Sequence, residues 1–400
     1  MSRGYGLANR EQNTPATAQT VYRIGSVTKQ FTAAAILQQV EQGKLELDTP
    51  ISEYVPEYAP PGEATITLRQ LLAQTSGIAT YTEPPVARAF AGKQALSHAD
   101  VVSALNKQSL NFAPGSRFEY SNSNYYLLGL ILERATGQPY AVYLRQHLLQ
   151  PAGLTSTTYC GPGATTPVQG YNAAGEELRP APPLQMDWPY AAGALCSTVA
   201  DLAAWNHALS HGRIISPALY QRMAAPATLQ DDSRTAYGLG LRIDTLEGHL
   251  HVWHGGELPG YTGVLSWYPQ DSLTIVILTN RGANPTVPEL EGKIARRLLD
   301  IPEPETAALT HSERARYVGQ YEMQTESGTV SVRILEQTGQ LMIQVAGKPV
   351  LPLAYRGEDR FVLKPDPRYR FDFRVQDGHA TGFTYFERDK QYQGTRKPEP

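Results

Sequence analysis

From Ser26 to about Gln42, the apolar residues Phe31, Ala34, Leu37 and Val40 recur at three-residue steps. That spacing predicts a helix with one buried stripe, and Gly43 is placed to end it. Residues 67–74 predict a short helix with Thr67 as N-cap. Residues 98–108, 122–136 and 201–209 read as further helices, and residues 3–9 as a short strand. Residues 155–195 are rich in turn formers and read as a long excursion. Near residue 235 the period changes. Residues 250–253, 263–268 and 272–279 predict strands of an antiparallel meander, and 287–299 an amphipathic helix. A Pro-containing link at 302–304 follows. Beyond about residue 312 the chain reads as short strands at 328–334, 340–345, 350–355, 360–363, 369–375 and 380–387, the pattern of a small β-barrel.

The domains expected are therefore 1–302 and 310–400 in a chain of 400 residues. With 41% hydrophobic and 18% charged residues the chain has the composition of a globular protein. A net charge of −3 leaves no electrostatic footprint for nucleic acid or an anionic membrane surface. No apolar run reaches the ~18 residues of a membrane span. The first residues lack the apolar stretch of a secretory signal. Two cysteines, Cys160 and Cys196, are too few for a disulfide scaffold or a multi-cysteine zinc site and are read as buried thiols.

Three short motifs carry the candidate chemistry. Ser26-Val27-Thr28-Lys29 places a hydroxyl and an amine at i and i+3, on one face of the predicted helix N-terminus. A lysine there takes the serine proton only if it is neutral near pH 7, which needs burial or a neighbouring cation. Backbone N–H groups at the helix start suit a developing oxyanion. Such a spacing arises by chance about once in 400 residues, so the other motifs matter. Tyr120-Ser121-Asn122 follows a turn and precedes a helix; the tyrosine can relay a proton and the asparagine can hold a substrate amide. His254-Gly255-Gly256 closes a predicted strand, where small residues let a substrate lie alongside.

Other groups read more blandly. His249 and His251 share a strand face but His254 points the other way, so no metal site is expected. No cofactor motif is present. Asp201 reads as a helix-start residue, and Tyr81, Tyr171, Tyr190 and Tyr261 as candidates to line a pocket.

Taken in order, Ser-x-x-Lys, Tyr-x-Asn and His-x-Gly resemble the serine hydrolases related to class C β-lactamases and penicillin-binding D-alanyl-D-alanine peptidases. Residues 4–9, 23–31, 43–50, 71–77, 151–154 and 254–260 extend the likeness over roughly residues 3–300. The resemblance implies an α/β fold: a β-lactamase/DD-peptidase-like antiparallel sheet flanked by helices, with a helical insertion. It implies Ser26 as the acylated nucleophile, with Lys29 or Tyr120 as the first base. Asn122 would bind substrate or orient Lys29, and His254 would stand beside the carboxylate or leaving group. The N–H groups of Ser26 and of Glu257, which follows Gly256, would form the oxyanion hole, and by the same resemblance residues 190–195 would be a substrate-facing loop. The third motif departs from the Lys-Thr-Gly of strong β-lactamases, and a neutral histidine is a weaker carboxylate anchor than an ammonium. The His-x-Gly form resembles D-amino-acid-specific peptidases and family VIII esterases.

A second departure lies at the start. By the resemblance Met1 falls in the family's second strand. Either the chain is short of a strand or the sheet closes by direct pairing of residues 4–9 with 272–279. Residues 312–400 resemble the lipocalin-like barrel appended to some D-aminopeptidases, which can restrict the site mouth or support an oligomer. The expected activity is acyl transfer from a small ester or peptide-like amide to water, without a cofactor or metal. Transfer to an alcohol or amine, and a low-turnover binding or scaffold protein, are the alternatives.

Overall fold

The computed structural model describes every residue except 63, 94, 162–167, 175–176, 303–308, 326–327, 365, 388–389 and 399–400. It divides into two units, Met1–Val287 and Pro288–Pro400. The link expected at 302–304 lies, but for Pro302, outside the described residues.

In the first unit, four strands form an antiparallel sheet: β1 (Arg242–Leu246), β2 (His249–Leu258), β3 (Tyr261–Tyr268) and β4 (Leu273–Thr279), in spatial order β4-β3-β2-β1. β3 is buried along almost its whole length, which explains its continuous apolar reading. β2 runs on to Leu258, so His254-Gly255-Gly256 lies inside a strand, not at its end. Two glycines hide strand character in the sequence; pairing with β3, Gly263 opposite Gly256 and Leu265 opposite His254, supplies it.

Ser26 lies in a 3-10 turn, Gly25–Val27, that feeds helix α1 (Thr28–Glu41). Every residue of α1 from Thr28 to Leu37 is buried, so the expected single stripe is replaced by a helix enclosed on all sides. Phe31 stacks on Trp205 at 3.9 Å, tying α1 to the Val199–Ser210 helix. Helix α2 (Asn122–Thr136) buries Ser123–Leu132 and stops at Gly137, whose φ of 67° completes a left-handed cap. Thr67 caps the Leu68–Leu72 helix in a reciprocal capping box with Gln70. Asp201 sits in the first turn of its helix and accepts from Ser156 N and Thr157 Oγ1, a structural role.

One expectation is corrected, and one of two open alternatives is not met. Cys160 and Cys196 are joined by a disulfide. Thr158–Tyr159 pairs antiparallel with Leu195–Ser197, and Cys160 N donates to Ala194 O, which brings residues 36 apart in sequence side by side. Direct pairing of residues 4–9 with β4 does not form: Leu7–Asn9 pairs with Thr14–Pro15, and β4 is the outer strand of its sheet among the described residues. Contact comes instead from Asn280, whose Nδ2 donates to the carbonyls of Leu7 and Ala8.

The second unit holds a closed antiparallel barrel of eight strands, from Gly319–Thr325 to Lys390–Arg396, each paired with the next in sequence. The six expected strands are present. The two that close the barrel, first on last, pair through Tyr321 opposite Arg396 and Met323 opposite Gly394. Their polar, glycine-containing sequences concealed them. Side chains fill the interior, with Tyr317, Tyr321, Phe361, Phe373 and Phe383 in mutual ring contact.

Candidate active site

The site is assembled where the Gly25–Val27 turn presses against β2. A Cβ on Gly256 would lie 1.9 Å from Ile24 O and 3.2 Å from Ser26 N. Gly25, at φ +52°, has Glu257 N only 2.8 Å from where its own Cβ would stand. Neither position tolerates a side chain, and the backbone nitrogens of Ser26 and Glu257 both lie at this close approach. Ile24 N donates to Leu195 O at 3.0 Å, anchoring the turn from behind. Ser26 itself is half-buried, open enough to meet a ligand.

Lys29 lies one turn on and is fully buried. Its Nζ is 3.1 Å from Ser26 Oγ, 2.8 Å from Asn122 Oδ1 and 2.8 Å from Ala192 O. Burial holds its pKa well below the ordinary lysine value, and the positive charge of Arg242 adds to the effect. A neutral amine has two N–H donors and one lone pair. In that form the asparagine and the carbonyl would take both donors and the lone pair would be left for the serine hydroxyl. Such a pair can deprotonate an attacking alcohol.

Asn122 opens α2, and its remaining amide contact is Nδ2 to Thr82 Oγ1 at 3.0 Å. Tyr120, two residues earlier, is half-buried, with its ring centroid 4.9 Å from Lys29 Nζ. Gln74 fixes this stretch: its backbone carbonyl accepts from Glu119 N and its Oε1 from Ser121 N. His254 is buried with its ring 6.1 Å from that of Tyr120. Its Nε2 is 3.0 Å from Tyr237 Oη and its Nδ1 2.6 Å from Gly255 O. Both nitrogens are thus engaged by the protein. Glu257 has an exposed side chain.

The structure therefore brings Ser26, Lys29 and Asn122 into direct contact and sets Tyr120, His254, Gly256 and Glu257 around them. Residues 190–195 differ from expectation. They form a buried turn and strand, not a substrate-facing loop, and present the carbonyl of Ala192 to Lys29 from the protein side. Tyr81, Tyr171, Tyr190 and Tyr261 are all buried, and the hydroxyls of Tyr81, Tyr171 and Tyr261 bond Trp188 O, Glu11 and Val168 O. Among the described residues no cluster of three His, Cys, Asp or Glu is placed to hold a metal ion; His249 pairs with Asp271 and His251 with Asp244.

Sequence reasoning missed two residues here. Tyr237 is fully buried against His254, and the Arg242 guanidinium stands 5.7 Å from the Tyr120 ring centroid, 5.8 Å from Tyr237 and 5.6 Å from Trp253. The only available signal was the hairpin itself, since β1 pairing with β2 sets Arg242 opposite Trp253, beside the third motif.

The chain is similar to several known proteins. The beta-lactamase family model matches residues 1–299. The putative penicillin-binding protein PbpX of Bacillus subtilis is 30% identical over 306 residues, 74% of this chain and 71% of that protein. A D-stereospecific amidohydrolase from Streptomyces sp. superimposes with a TM-score of 0.59 at 28% identity, over 66% of this chain and 83% of its own. The octameric penicillin-binding protein homologue from Pyrococcus abyssi shares the fold over 98% of this chain and 92% of its own, with a TM-score of 0.67 at 24% identity. With a buried lysine held against a serine at the head of a central helix, and a family match spanning the whole first unit, this chain belongs to the beta-lactamase family, the fold of penicillin-binding proteins and related serine hydrolases.

Proposed function

We propose that the protein is a serine hydrolase that works through an acyl-enzyme on small esters or peptide-like amides, D-residue amides included. The observation that carries this reading is the environment of Lys29: buried, bonded to Asn122 Oδ1 and Ala192 O, and 3.1 Å from Ser26 Oγ.

In this mechanism Ser26 Oγ attacks the substrate carbonyl carbon while its proton passes to Lys29 Nζ. The carbonyl oxygen, now an anion, sits against the N–H groups of Ser26 and Glu257. Collapse breaks the bond to the leaving amine or alcohol, which receives a proton through Lys29 or Tyr120. Water then attacks the Ser26 ester, the same base takes its proton, and acid and free serine are restored. Asn122 orients Lys29 and offers an N–H to the substrate. His254, its ring held by Tyr237 and Gly255, stands beside the carboxylate or leaving-group end of the substrate. With the histidine so engaged, β-lactam turnover is weak or absent. The similarity to a D-stereospecific amidohydrolase supports D-amides as a substrate class. The Cys160–Cys196 bond suits an oxidising compartment.

The test is intact-protein mass after exposure to a serine-directed fluorophosphonate, beside Ser26→Ala. A single adduct that disappears in the variant is expected, with Ser26-dependent hydrolysis of p-nitrophenyl acetate. A folded wild type with no adduct, or a variant hydrolysing at the wild-type rate, refutes the reading. A panel of D- and L-amino acid amides and a β-lactam then settles the substrate class.

A further inference from the structure

We propose that Thr80 and Thr82 are positioning residues that hold the Asn122 amide against Lys29. The inference deepens the function proposed above and rests on it for its kinetic consequences.

Asn122 is held from three sides. Its Oδ1 is 2.8 Å from Lys29 Nζ, its Nδ2 donates to Thr82 Oγ1 at 3.0 Å, and its backbone N donates to Thr80 Oγ1 at 3.2 Å. The two threonine hydroxyls bond each other at 3.0 Å, so the three groups form a closed ring of hydrogen bonds. The segment bearing the threonines is itself riveted to the start of α2. Ser123 Oγ donates to Ala79 O at 2.6 Å and accepts from Tyr81 N at 2.9 Å. Ser76 Oγ donates to Asn124 Oδ1 at 2.6 Å. Residues 76–82 therefore move with the first turn of α2.

The chemistry of the amide makes its orientation consequential. An amide oxygen only accepts and an amide nitrogen only donates. With the oxygen on Lys29, the lysine spends an N–H there and keeps its lone pair for Ser26. A flipped amide would present an N–H to Nζ and compete for that same lone pair. In the observed arrangement Thr82 Oγ1 accepts from Nδ2 and, through its bond to Thr80 Oγ1, ties the amide to the backbone that opens α2. Nδ2 has two hydrogens, and the second is free to meet a substrate carbonyl. Thr82 is exposed, so its hydroxyl can be changed without opening the core.

Thr82→Val replaces the hydroxyl by a methyl of the same shape, and Thr82→Ser keeps it. The rate constant for fluorophosphonate labelling of Ser26 is measured by intact mass for wild type and both variants, with the thermal midpoint of each. The expected result is a fall of about tenfold for Thr82→Val, of the order set by losing one orienting hydrogen bond. Thr82→Ser stays within about twofold, at an unchanged midpoint. Labelling of folded Thr82→Val at the wild-type rate overturns the proposal. A crystal structure of Thr82→Val judges the positioning separately. Displacement or rotation of the Asn122 amide is expected, and Asn122 Oδ1 unmoved on Lys29 Nζ overturns it. A wild type that is never labelled refutes the proposed hydrolase, while the crystallographic comparison still decides the role of the threonines.

Discussion

Gly256→Ala and Gly255→Ala differ by one position and should differ by orders of magnitude in acylation. A methyl at Gly256 would stand 1.9 Å from Ile24 O. Ordinary contact between carbon and oxygen is no closer than about 3.2 Å, so β2 and the 24–26 turn must separate by about 1 Å. Those segments carry the N–H groups of Glu257 and Ser26. Losing one oxyanion donor costs a factor of about 100 to 1,000, and a misplacement of about 1 Å costs about 100. A methyl at Gly255 meets its nearest neighbours, Trp253 Cζ3 and Gly263 O, at 3.6 and 3.7 Å, which is ordinary contact. Stopped-flow acylation with p-nitrophenyl acetate should therefore show Gly256→Ala down by about 100-fold or more and Gly255→Ala within about threefold. Circular dichroism would establish that both fold. A Gly256→Ala enzyme that acylates within threefold of wild type would refute the close approach as the source of the oxyanion site.

Three further outcomes follow from the same structure. The Arg242 charge helps to hold the Lys29 pKa down, and the proposed mechanism needs the neutral amine. Activity thus rises with pH through the lysine's depressed pKa, and Arg242→Gln should move that acid limb to higher pH; an unmoved limb in the pH profile of kcat/KM for an uncharged ester would count against the coupling. Trp205→Ala removes the ring stacked on Phe31 of the helix that carries Lys29 and should cost about 3–5 kcal/mol in urea unfolding. Joint replacement of Cys160 and Cys196 by alanine opens a loop with a sequence separation of 36 and should cost about 3–4 kcal/mol; identical denaturation midpoints with and without reductant in wild type would contradict the bond.

Much of the frame was legible from local rules, and the misses have a common cause. Thr67 as N-cap, Gly137 as the stop of α2, and most of the barrel strands are encoded in spacings of two to four residues, where one side chain answers its near neighbours. The Ser26 and Lys29 pair was legible for the same reason, since i and i+3 meet on any helix. The single buried stripe expected of α1 failed because burial of a central helix is decided by what surrounds it. The strand status of His254-Gly255-Gly256 failed because glycine carries no strand preference of its own, and pairing with β3 overrides that.

The sequence by itself determined the period of each element, the turns that end them, and the order of the three motifs that pointed to the family. Tertiary structure decided what those motifs can do. Lys29 meets Asn122 across 93 residues and Ala192 across 163. Cys160 reaches Cys196 only through strand pairing, and Arg242 comes beside Tyr120 only through the β1–β2 hairpin. A neutral lysine is a property of burial and of neighbouring charge. Neither exists until chain segments distant in sequence pack together, so no local pattern can carry it.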